Sequence, residues 1–315
     1  MTTTTTTHVA SGEAVAAVHA TRADWLEARR NHITATDAPA ILGLSPWASP
    51  FALYARKLGL IEDAAESEAM YWGSKQEPLI AERYHEETGR ELLAPPPYTL
   101  YTHRERTWQA TSLDRIIIAD PSTGHSGPGL LEIKTTSAFR GDDWDDGPPR
   151  HYLVQLQHEL AVLGYDWGGF AVLIGGQKFL WCDVLRDDDL IAGLLTAEAE
   201  FYARLQAQDP PPVDGSDAAK AALTALYQHE RPGTVVALPP EADRWDAIRQ
   251  AAAQEIERQM GLKQEADNAL KALIGTAEVG TLPCGVSYSW KTVEKKAYQV
   301  PASSTRVLRR KGGSA

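Results

Sequence analysis

Cysteine is scarce in this sequence and long apolar runs are absent, and both features narrow the class of protein. The 315 residues include only two cysteines, Cys182 and Cys284, which lie far apart and outside any C-x-x-C spacing. Alone they cannot form a cysteine-rich zinc site, an iron–sulfur site or a secreted disulfide framework. No stretch approaches the roughly 20 apolar residues that span a bilayer. We therefore predict no membrane-spanning segment and no role at a membrane.

The N-terminal 20 residues lack the features of a secretory signal. They begin with a threonine run and have neither a basic start nor a continuous apolar segment. We expect residues 1–20 to be a disordered leader. We also expect the protein to be cytoplasmic, in a bacterial or phage-infected host cell.

Basic residues are outnumbered by acidic ones, 31 to 42, which gives a formal net charge of -11. This balance argues against simple electrostatic capture of nucleic acid, which needs lysines and arginines against phosphates. The charge is unevenly distributed, because residues 281–315 contain seven basic residues and one acidic residue. Binding to DNA would therefore require a localised basic channel. The tail either contacts DNA or is a solubilising end.

Periodicity and turn residues predict the order of the elements. The predicted helices are 21–30, 50–58, 68–88, 151–163, 188–207, 217–229 and 241–274, and the predicted strands are 98–103, 108–118, 130–136, 168–175, 178–185 and 286–290. The order begins with helices and continues with a set of strands that is interrupted by one helix. This order indicates a mixed α/β fold. We expect Gly261 to break or bend the last helix, so that a helical hairpin could form.

The triproline Pro210-Pro211-Pro212 is the best candidate for a domain boundary. We predict a core domain over residues 21–209 and a linker with a short helix over residues 210–240. A C-terminal region over residues 241–315 would be helical, with a β-like end and the basic tail.

Asp114 and the segment Leu131-Glu132-Ile133-Lys134 carry the most informative chemistry. On a strand, Glu132 and Lys134 point to one face while Ile133 points to the other. If the two strands pair, Asp114 can approach Glu132, and two such carboxylates suit a magnesium ion that assists phosphodiester hydrolysis. A nearby ammonium can orient the attacking water. The alternative, a solvated strand edge with cross-strand charge pairs, stays open on these residues alone.

Four blocks of the sequence resemble the YqaJ-like phage recombinase family, and together they span roughly residues 22–205. That family includes lambda exonuclease and belongs to the PD-(D/E)xK nuclease superfamily. The blocks are Arg29 to Thr36 leading to Ile41-Leu42-Gly43, Trp72 to Glu77, Ser112-Leu113-Asp114 with Leu131 to Lys134, and Tyr152 to Gln157. The resemblance implies a restriction-endonuclease-like α/β core, in which helices flank a mixed central sheet.

The resemblance also implies roles for residues at the metal site. Asp114, Glu132 and the backbone carbonyl of Ile133 would bind Mg²⁺, for which Mn²⁺ is expected to substitute, and Lys134 would serve the nucleophilic water. Glu77 resembles a helical glutamate that completes the metal site. A helix carboxylate exposed to solvent is the alternative for Glu77.

Three further residues match family positions outside the metal site. Gln155 resembles the active-site glutamine on the following helix, and a polar helix face is its alternative. Arg29 and Thr36 match positions that hold a terminal 5′-phosphate, and Arg30 could replace Arg29 in that role. Two departures leave the relevant groups intact: Leu113 and Arg115 flank Asp114 where other residues are usual, and Thr36 replaces the usual serine.

The resemblance predicts a magnesium-dependent 5′-to-3′ exonuclease on linear double-stranded DNA. It would generate 3′ single-stranded overhangs for phage-type recombination. Double-stranded DNA ends are the expected partner, together with further copies of the chain in a ring-shaped trimer and a single-strand annealing protein. The alternatives are a structure-specific or restriction-type endonuclease and a catalytically silent recombination accessory protein. The sequence does not determine whether the acidic segment 142–146 lies over the site.

Overall fold

The computed structural model describes residues 13–63, 65–120, 124–297, 299, 302 and 304–312. The chain divides into two compact units, residues 1–228 and residues 229–315. The first 12 residues of the predicted leader lie outside the described residues. In the part of the chain that is described, no helix is long and apolar enough to cross a membrane.

The helices follow the predicted order closely. They are α1 (Arg22–Arg30), α2 (Ala38–Ile41), α3 (Pro50–Lys57), α4 (Glu68–Thr88), α5 (Arg150–Leu163), α6 (Asp188–Ala207), α7 (Asp217–Leu226) and α8 (Glu241–Ile274), with a 3₁₀ segment at Ala138–Trp144. Local chemistry explains several ends. Ser49 accepts a hydrogen bond from the Ala52 N–H and so caps α3, and Gly89 ends α4 in the left-handed conformation at φ 70°.

Within the described residues, the strands form three sheets. They are β1 (Ala14–Val18), β2 (Ile33–Thr34), β3 (Glu91–Leu93), β4 (Thr99–His103), β5 (Gln109–Thr111), β6 (Arg115–Ala119), β7 (Gly129–Thr136), β8 (Trp167–Ile174), β9 (Lys178–Leu185), β10 (Val279–Thr281) and β11 (Ser287–Ser289). The five-stranded sheet has the order β3-β6-β7-β8-β9, and the four-stranded sheet has the order β1-β4-β5-β2. In the second unit, β10 pairs with β11.

The five-stranded sheet is mixed, because β7 runs parallel to β8 while its other neighbouring pairs are antiparallel. Helix α5 connects β7 to β8, as a parallel pair requires a crossover. On one face of β7, Leu131 and Ile133 pack with Ile80 and Tyr84 of α4. On the other face, Leu130 shares a core with residues of α5 and of the four-stranded sheet. The predicted mixed α/β class is confirmed.

Two segments of the first unit differ from the sequence-based expectation. Ala14–Val18 is the strand β1, antiparallel to β4, where a disordered leader was expected. A five-residue run of alanine and valine has too little alternation to predict a strand. The predicted strand 108–118 is two strands, since the chain leaves the first sheet after Thr111 and enters the second at Arg115.

Two findings concern the predicted linker and C-terminal region. Helix α7 packs against α3 through Phe51, Ala52, Ala219 and Ala222, so it belongs to the first compact unit. Helix α8 is continuous from Glu241 to Ile274, so the expected break at Gly261 and the helical hairpin that it would allow are wrong. Gly261 has no left-handed φ angle, and the flanking residues are good helix formers that propagate the helix through it.

Candidate active site

The pairing of β6 with β7 brings Asp114 and Glu132 together. Arg115 is opposite Leu131 in this antiparallel ladder, so Asp114 lies one residue before that pair and Glu132 one residue after it. Oδ2 of Asp114 accepts a hydrogen bond from the backbone N–H of Ile133 at 2.8 Å. A side chain thus continues the ladder where the backbone of β6 ends. The predicted approach of the two carboxylates is present in the structure.

Lys134 and Gln155 complete a polar cluster around Glu132. Nζ of Lys134 donates to Oε1 of Glu132 and, at 3.1 Å, to Oε1 of Gln155. Nε2 of Gln155 donates to the same Glu132 oxygen at 2.5 Å. Glu132 and Gln155 are buried, and the Lys134 ammonium lies 4.7 Å from the centre of the Tyr152 ring. The Tyr152 ring therefore covers one side of the Lys134 ammonium.

The electrostatics of this cluster suit a divalent cation. Burial raises the pKa of Asp114 well above its usual value, and the nearby Glu132 carboxylate raises it further. Burial lowers the pKa of Lys134, but Glu132 and Asp114 outweigh that effect and raise it. Lys134 therefore stays an ammonium. A buried carboxylate and a half-buried one, Glu132 and Asp114, against one ammonium leave negative charge that a hard cation with a preference for oxygen would offset.

The donor set for such a cation is small. Among the described residues, no group of three or more His, Cys, Asp or Glu side chains is arranged to hold a metal ion. The fit therefore rests on the carboxylates of Asp114 and Glu132 and on the carbonyl of Ile133. Magnesium commonly takes one or two protein carboxylates and completes its shell with water and substrate phosphate, so this set suffices.

Glu77 is not part of the Asp114–Glu132 cluster. Its Oε1 accepts a hydrogen bond from Arg115, which also donates to the carbonyl of Asp114 at 2.5 Å. Arg115 pairs with Leu131, whose side chain packs toward α4, the helix that carries Glu77. Glu77 is thus held on the α4 face by an ion pair, close enough to add to the negative charge that raises the pKa of Asp114.

Arg29 and Thr36, which the resemblance assigned to a phosphate site, are in contact. Nη2 of Arg29 donates to Oγ1 of Thr36 at 2.8 Å, and the guanidinium carbon lies 4.6 Å from the centre of the Trp25 ring. Burial lowers the pKa of Arg29, and the carboxylates of Asp37 and Glu159 oppose that effect. The guanidinium lines a cavity of about 410 Å³.

Arg30 lines the same cavity but has other partners. Its guanidinium donates to Asp63 at 3.0 Å and to Glu27 at 3.3 Å. Both acids already balance its charge. The geometry therefore favours Arg29 over Arg30 as the residue that receives a phosphate.

Comparison with known proteins identifies the family. Residues 24–166 match the YqaJ-like viral recombinase domain. Over 279 residues the chain is 33% identical to the uncharacterized protein YqaJ of Bacillus subtilis (strain 168), a match that covers 86% of this chain and 84% of that protein. The chain belongs to the YqaJ family. The predicted family is confirmed, and the matched segment contains every site residue described above.

Two solved structures are similar to parts of this YqaJ-family chain. The crystal structure of LHK-Exo, an alkaline exonuclease from Laribacter hongkongensis, in complex with dAMP is 24% identical, with a TM-score of 0.47. That match covers 59% of this chain and 94% of LHK-Exo. A phage related exonuclease from Haemophilus somnus 129PT is 14% identical, with a TM-score of 0.41, over 56% of this chain and 96% of that one.

The sequence did not indicate two residues that the structure adds to this YqaJ-family site. Tyr152 covers Lys134, and the buried carboxylate of Glu159 accepts a hydrogen bond from Nε2 of Gln155 at 3.2 Å. Glu159 follows Gln155 by four residues, so the two lie one turn apart on the same face of α5. That spacing was the available signal, and it becomes informative only once Gln155 is known to face the catalytic strand.

Proposed function

We propose that this protein is a magnesium-dependent 5′-to-3′ exonuclease on linear double-stranded DNA that generates 3′ single-stranded overhangs. The observation that carries the proposal is the joining of Asp114, Glu132, Lys134 and Gln155 on one face of the five-stranded sheet. Membership of the YqaJ family makes the chain a nuclease of phage-type recombination. The metal, the substrate and the polarity are the parts that experiment must decide.

The side chains divide the hydrolytic task. Asp114, Glu132 and the Ile133 carbonyl would hold Mg²⁺, which when bound would make an attacking water more acidic and offset charge on the phosphorus. The ammonium of Lys134 would hold that water in line with the phosphorus and offset the charge that develops on the phosphate oxygens. Gln155 holds Lys134 and Glu132 in position, because its amide oxygen accepts from Lys134 and its amide nitrogen donates to Glu132.

End recognition is the basis for the proposed polarity. Arg29 combines a planar guanidinium with a hydroxyl neighbour, Thr36, and both can donate to the oxygens of a terminal phosphate. A 5′-phosphate held there would place the adjoining phosphodiester near the catalytic cluster. The exonuclease would then require an end and would act from the 5′ side.

Binding of DNA by an acidic chain requires local positive charge. We propose that several copies of the chain form a ring, a trimer in the simplest case, so that basic residues line its channel. We further propose a single-strand annealing protein as the partner that receives the overhang in the cytoplasm. Light scattering that showed only monomer would contradict the ring.

Digestion of end-labelled linear duplex tests the proposal directly. Substrates with a 5′-phosphate or a 5′-hydroxyl would be incubated with the protein in Mg²⁺, in Mn²⁺ and in EDTA. We expect metal-dependent loss of the 5′-ended strand and survival of the 3′-ended strand. A closed circular duplex should survive because it offers no end.

Two controls separate the proposal from its rivals. Lys134→Ala should fold and lose cleavage, whereas a contaminating nuclease would be unaffected by this change. Cleavage of the closed circle by wild type but not by the variant would favour a structure-specific endonuclease. No cleavage of any DNA by folded protein in Mg²⁺ or Mn²⁺ would refute nuclease activity and favour a silent accessory protein.

A further inference from the structure

Glu159 is a buried carboxylate to which neither metal binding nor end recognition assigns a role. Its side chain is only 1% exposed, and it lies on α5 one turn after Gln155. Burial raises the pKa of Glu159 well above its usual value, and the carboxylates of Glu132 and Asp114 raise it further. A carboxylate held where charge is so costly calls for an explanation beyond packing.

The hydrogen bonds of Gln155 supply that explanation. Nε2 of Gln155 has two hydrogens, and both are directed at carboxylates, at 2.5 Å for Glu132 and 3.2 Å for Glu159. Oε1 of Gln155 accepts from the ammonium of Lys134 at 3.1 Å. The amide therefore has two carboxyl groups at its nitrogen end and one ammonium group at its oxygen end.

This charge pattern determines which way the amide faces. A rotation of the amide by 180° would direct its oxygen at two carboxyl groups and its NH₂ group at an ammonium, and the three observed hydrogen bonds would be lost. Glu132 alone cannot secure the orientation, since it must also accept from Lys134 and serve the proposed metal site. Glu159 lies one turn after Gln155 on α5 and gives Nε2 a second acceptor besides Glu132.

We propose that Glu159 is a positioning residue that fixes the side-chain amide of Gln155, so that its carbonyl oxygen holds the Lys134 ammonium beside Glu132. Glu159 touches neither substrate nor metal and acts only through Gln155. The part of the inference that concerns catalysis rests on the proposed nuclease function. The part that concerns the orientation of the amide does not.

Three variants test the inference. Glu159→Met removes the acceptor and keeps the approximate volume, and Glu159→Gln keeps an acceptor oxygen. Gln157→Met is the matched control, because Gln157 is also buried on α5 but bonds to the Leu185 carbonyl and the Asp187 N–H. If the loss of activity came only from removing a buried polar group of α5, Gln157→Met would show the same loss.

Steady-state cleavage gives the first readout. We expect Glu159→Met to lower kcat about 10-fold with little change in KM, as removal of a group that orients an active-site residue does. Glu159→Gln should recover most of that loss, and Gln157→Met should keep wild-type kcat. In a Gln155→Ala background, Glu159→Met should add no further loss, since its effect passes through Gln155.

The side-chain amide resonance of Gln155 gives a second readout that needs no activity. In protein labelled with ¹⁵N at glutamine, the resonance can be assigned by its loss in Gln155→Ala. Glu159→Met should shift that resonance and speed its hydrogen exchange, and Glu159→Gln should return both toward wild type. An unchanged resonance in Glu159→Met would overturn the inference, whether or not the wild type cuts DNA.

The outcomes also separate this inference from the proposed function. Failure of the wild type to cut any DNA refutes the nuclease proposal and leaves the resonance to decide the orientation. Normal kcat in Glu159→Met, with an active wild type, refutes the positioning role. A rise in KM without a fall in kcat would instead place Glu159 with Arg29, whose pKa its charge also raises, and would refute the proposal.

Discussion

The ammonium of Lys57 donates to the carboxylate of Asp37 at 2.5 Å, and the two side chains are only 8% and 13% exposed. The same ammonium donates to the carbonyls of Arg29 at 2.9 Å and His32 at 2.5 Å, just where α1 ends. All three ammonium hydrogens thus have acceptors. Burial would raise the pKa of Asp37, but Lys57 and Arg29 outweigh it and hold that pKa below its usual value.

Lys57→Met should therefore destabilise the first unit strongly. The change leaves the Asp37 carboxylate and two helix-end carbonyls buried without their cation, and breaking a buried pair in this way costs about 3–5 kcal/mol. Urea unfolding measures the difference. The double variant Lys57→Met with Asp37→Asn should recover part of the loss, because it removes the stranded charge. A decrease in the free energy of unfolding of less than about 1 kcal/mol would be typical of an exposed ion pair and would contradict this account.

His158 and Glu198 should make stability depend on pH. Nδ1 of His158 lies 2.6 Å from Oε1 of Glu198, and Nε2 lies 3.0 Å from the Ala110 carbonyl. Both ring nitrogens face acceptors, so only the imidazolium satisfies both. Burial lowers the pKa of His158, but the charge of Glu198 outweighs it and raises that pKa above its usual value.

A raised pKa in the folded state stabilises the protein fully below the unfolded pKa of about 6.5. The contribution is lost as pH rises through the folded pKa. We expect the stability difference between wild type and Glu198→Gln to be largest near pH 6 and to shrink toward pH 9. Thermal or urea unfolding at several pH values measures it, with Glu255→Gln on exposed α8 as the surface control. A difference that grows with pH would contradict a charged His158.

Arg29→Gln should weaken action on 5′-phosphorylated ends. The variant loses a charge-assisted contact to phosphate, which corresponds to about 10- to 100-fold in kcat/KM. A 5′-hydroxyl substrate, which lacks the phosphate, should show little difference between variant and wild type. Arg30→Gln is the matched control, since its ion pairs with Glu27 and Asp63 already balance its charge. Equal losses in the two arginine variants would point to general DNA attraction instead.

Glu77→Gln tests whether this carboxylate serves the metal as well as Arg115. If Glu77 adds to the field at Asp114, its neutralisation should raise the Mg²⁺ concentration for half-maximal cleavage by about 10-fold. Measurement of cleavage activity at increasing Mg²⁺ concentrations gives the half-maximal concentration. Arg115→Met frees Glu77 without removing its charge, so it should not raise the Mg²⁺ requirement. An unchanged Mg²⁺ requirement in Glu77→Gln would show that Glu77 only pairs with Arg115 and does not serve the metal.

Gly261→Ala should stabilise α8. Gly261 lies inside a continuous helix, and a Cβ atom there would meet no other atom within 4 Å. Replacement of an exposed interior glycine by alanine gains about 1 kcal/mol in a helix. Circular dichroism during thermal unfolding would detect the gain in helicity. A loss of helicity in Gly261→Ala would contradict this prediction and would support the bend at Gly261 that the sequence suggested.

The sequence predicted best the elements whose periodicity and end signals agree. Helix α4 was expected over residues 68–88 and is Glu68–Thr88, because Ser67 and Gly89 mark its two ends. The strands β1, β2 and β3 were not predicted, since two to five residues carry too little alternation. They form because β4, β5 and β6, distant in sequence, offer them hydrogen-bonding edges.

The candidate site was predictable where one short motif supplies neighbouring groups. Glu132 and Lys134 share a strand, so their common face followed from the alternation of side chains. The pairing of Arg115 with Glu77 depends on how α4 packs against the sheet. No local pattern carries that information, and only the resemblance to a family indicated Glu77. The four-residue spacing of Gln155 and Glu159 on α5 was a local signal, but it becomes informative only once Gln155 is known to face β7.

Strand β7 has a further consequence for how the protein is made. It carries Glu132 and Lys134 and lies between β6 and its parallel partner β8, which follows only after α5. A parallel pair closes only when its crossover exists, so a nascent chain on the ribosome cannot complete the pairing of β7 until β8, which ends at Ile174, has emerged. Chains that terminate earlier therefore lack the strand that flanks Glu132 and Lys134 on one side.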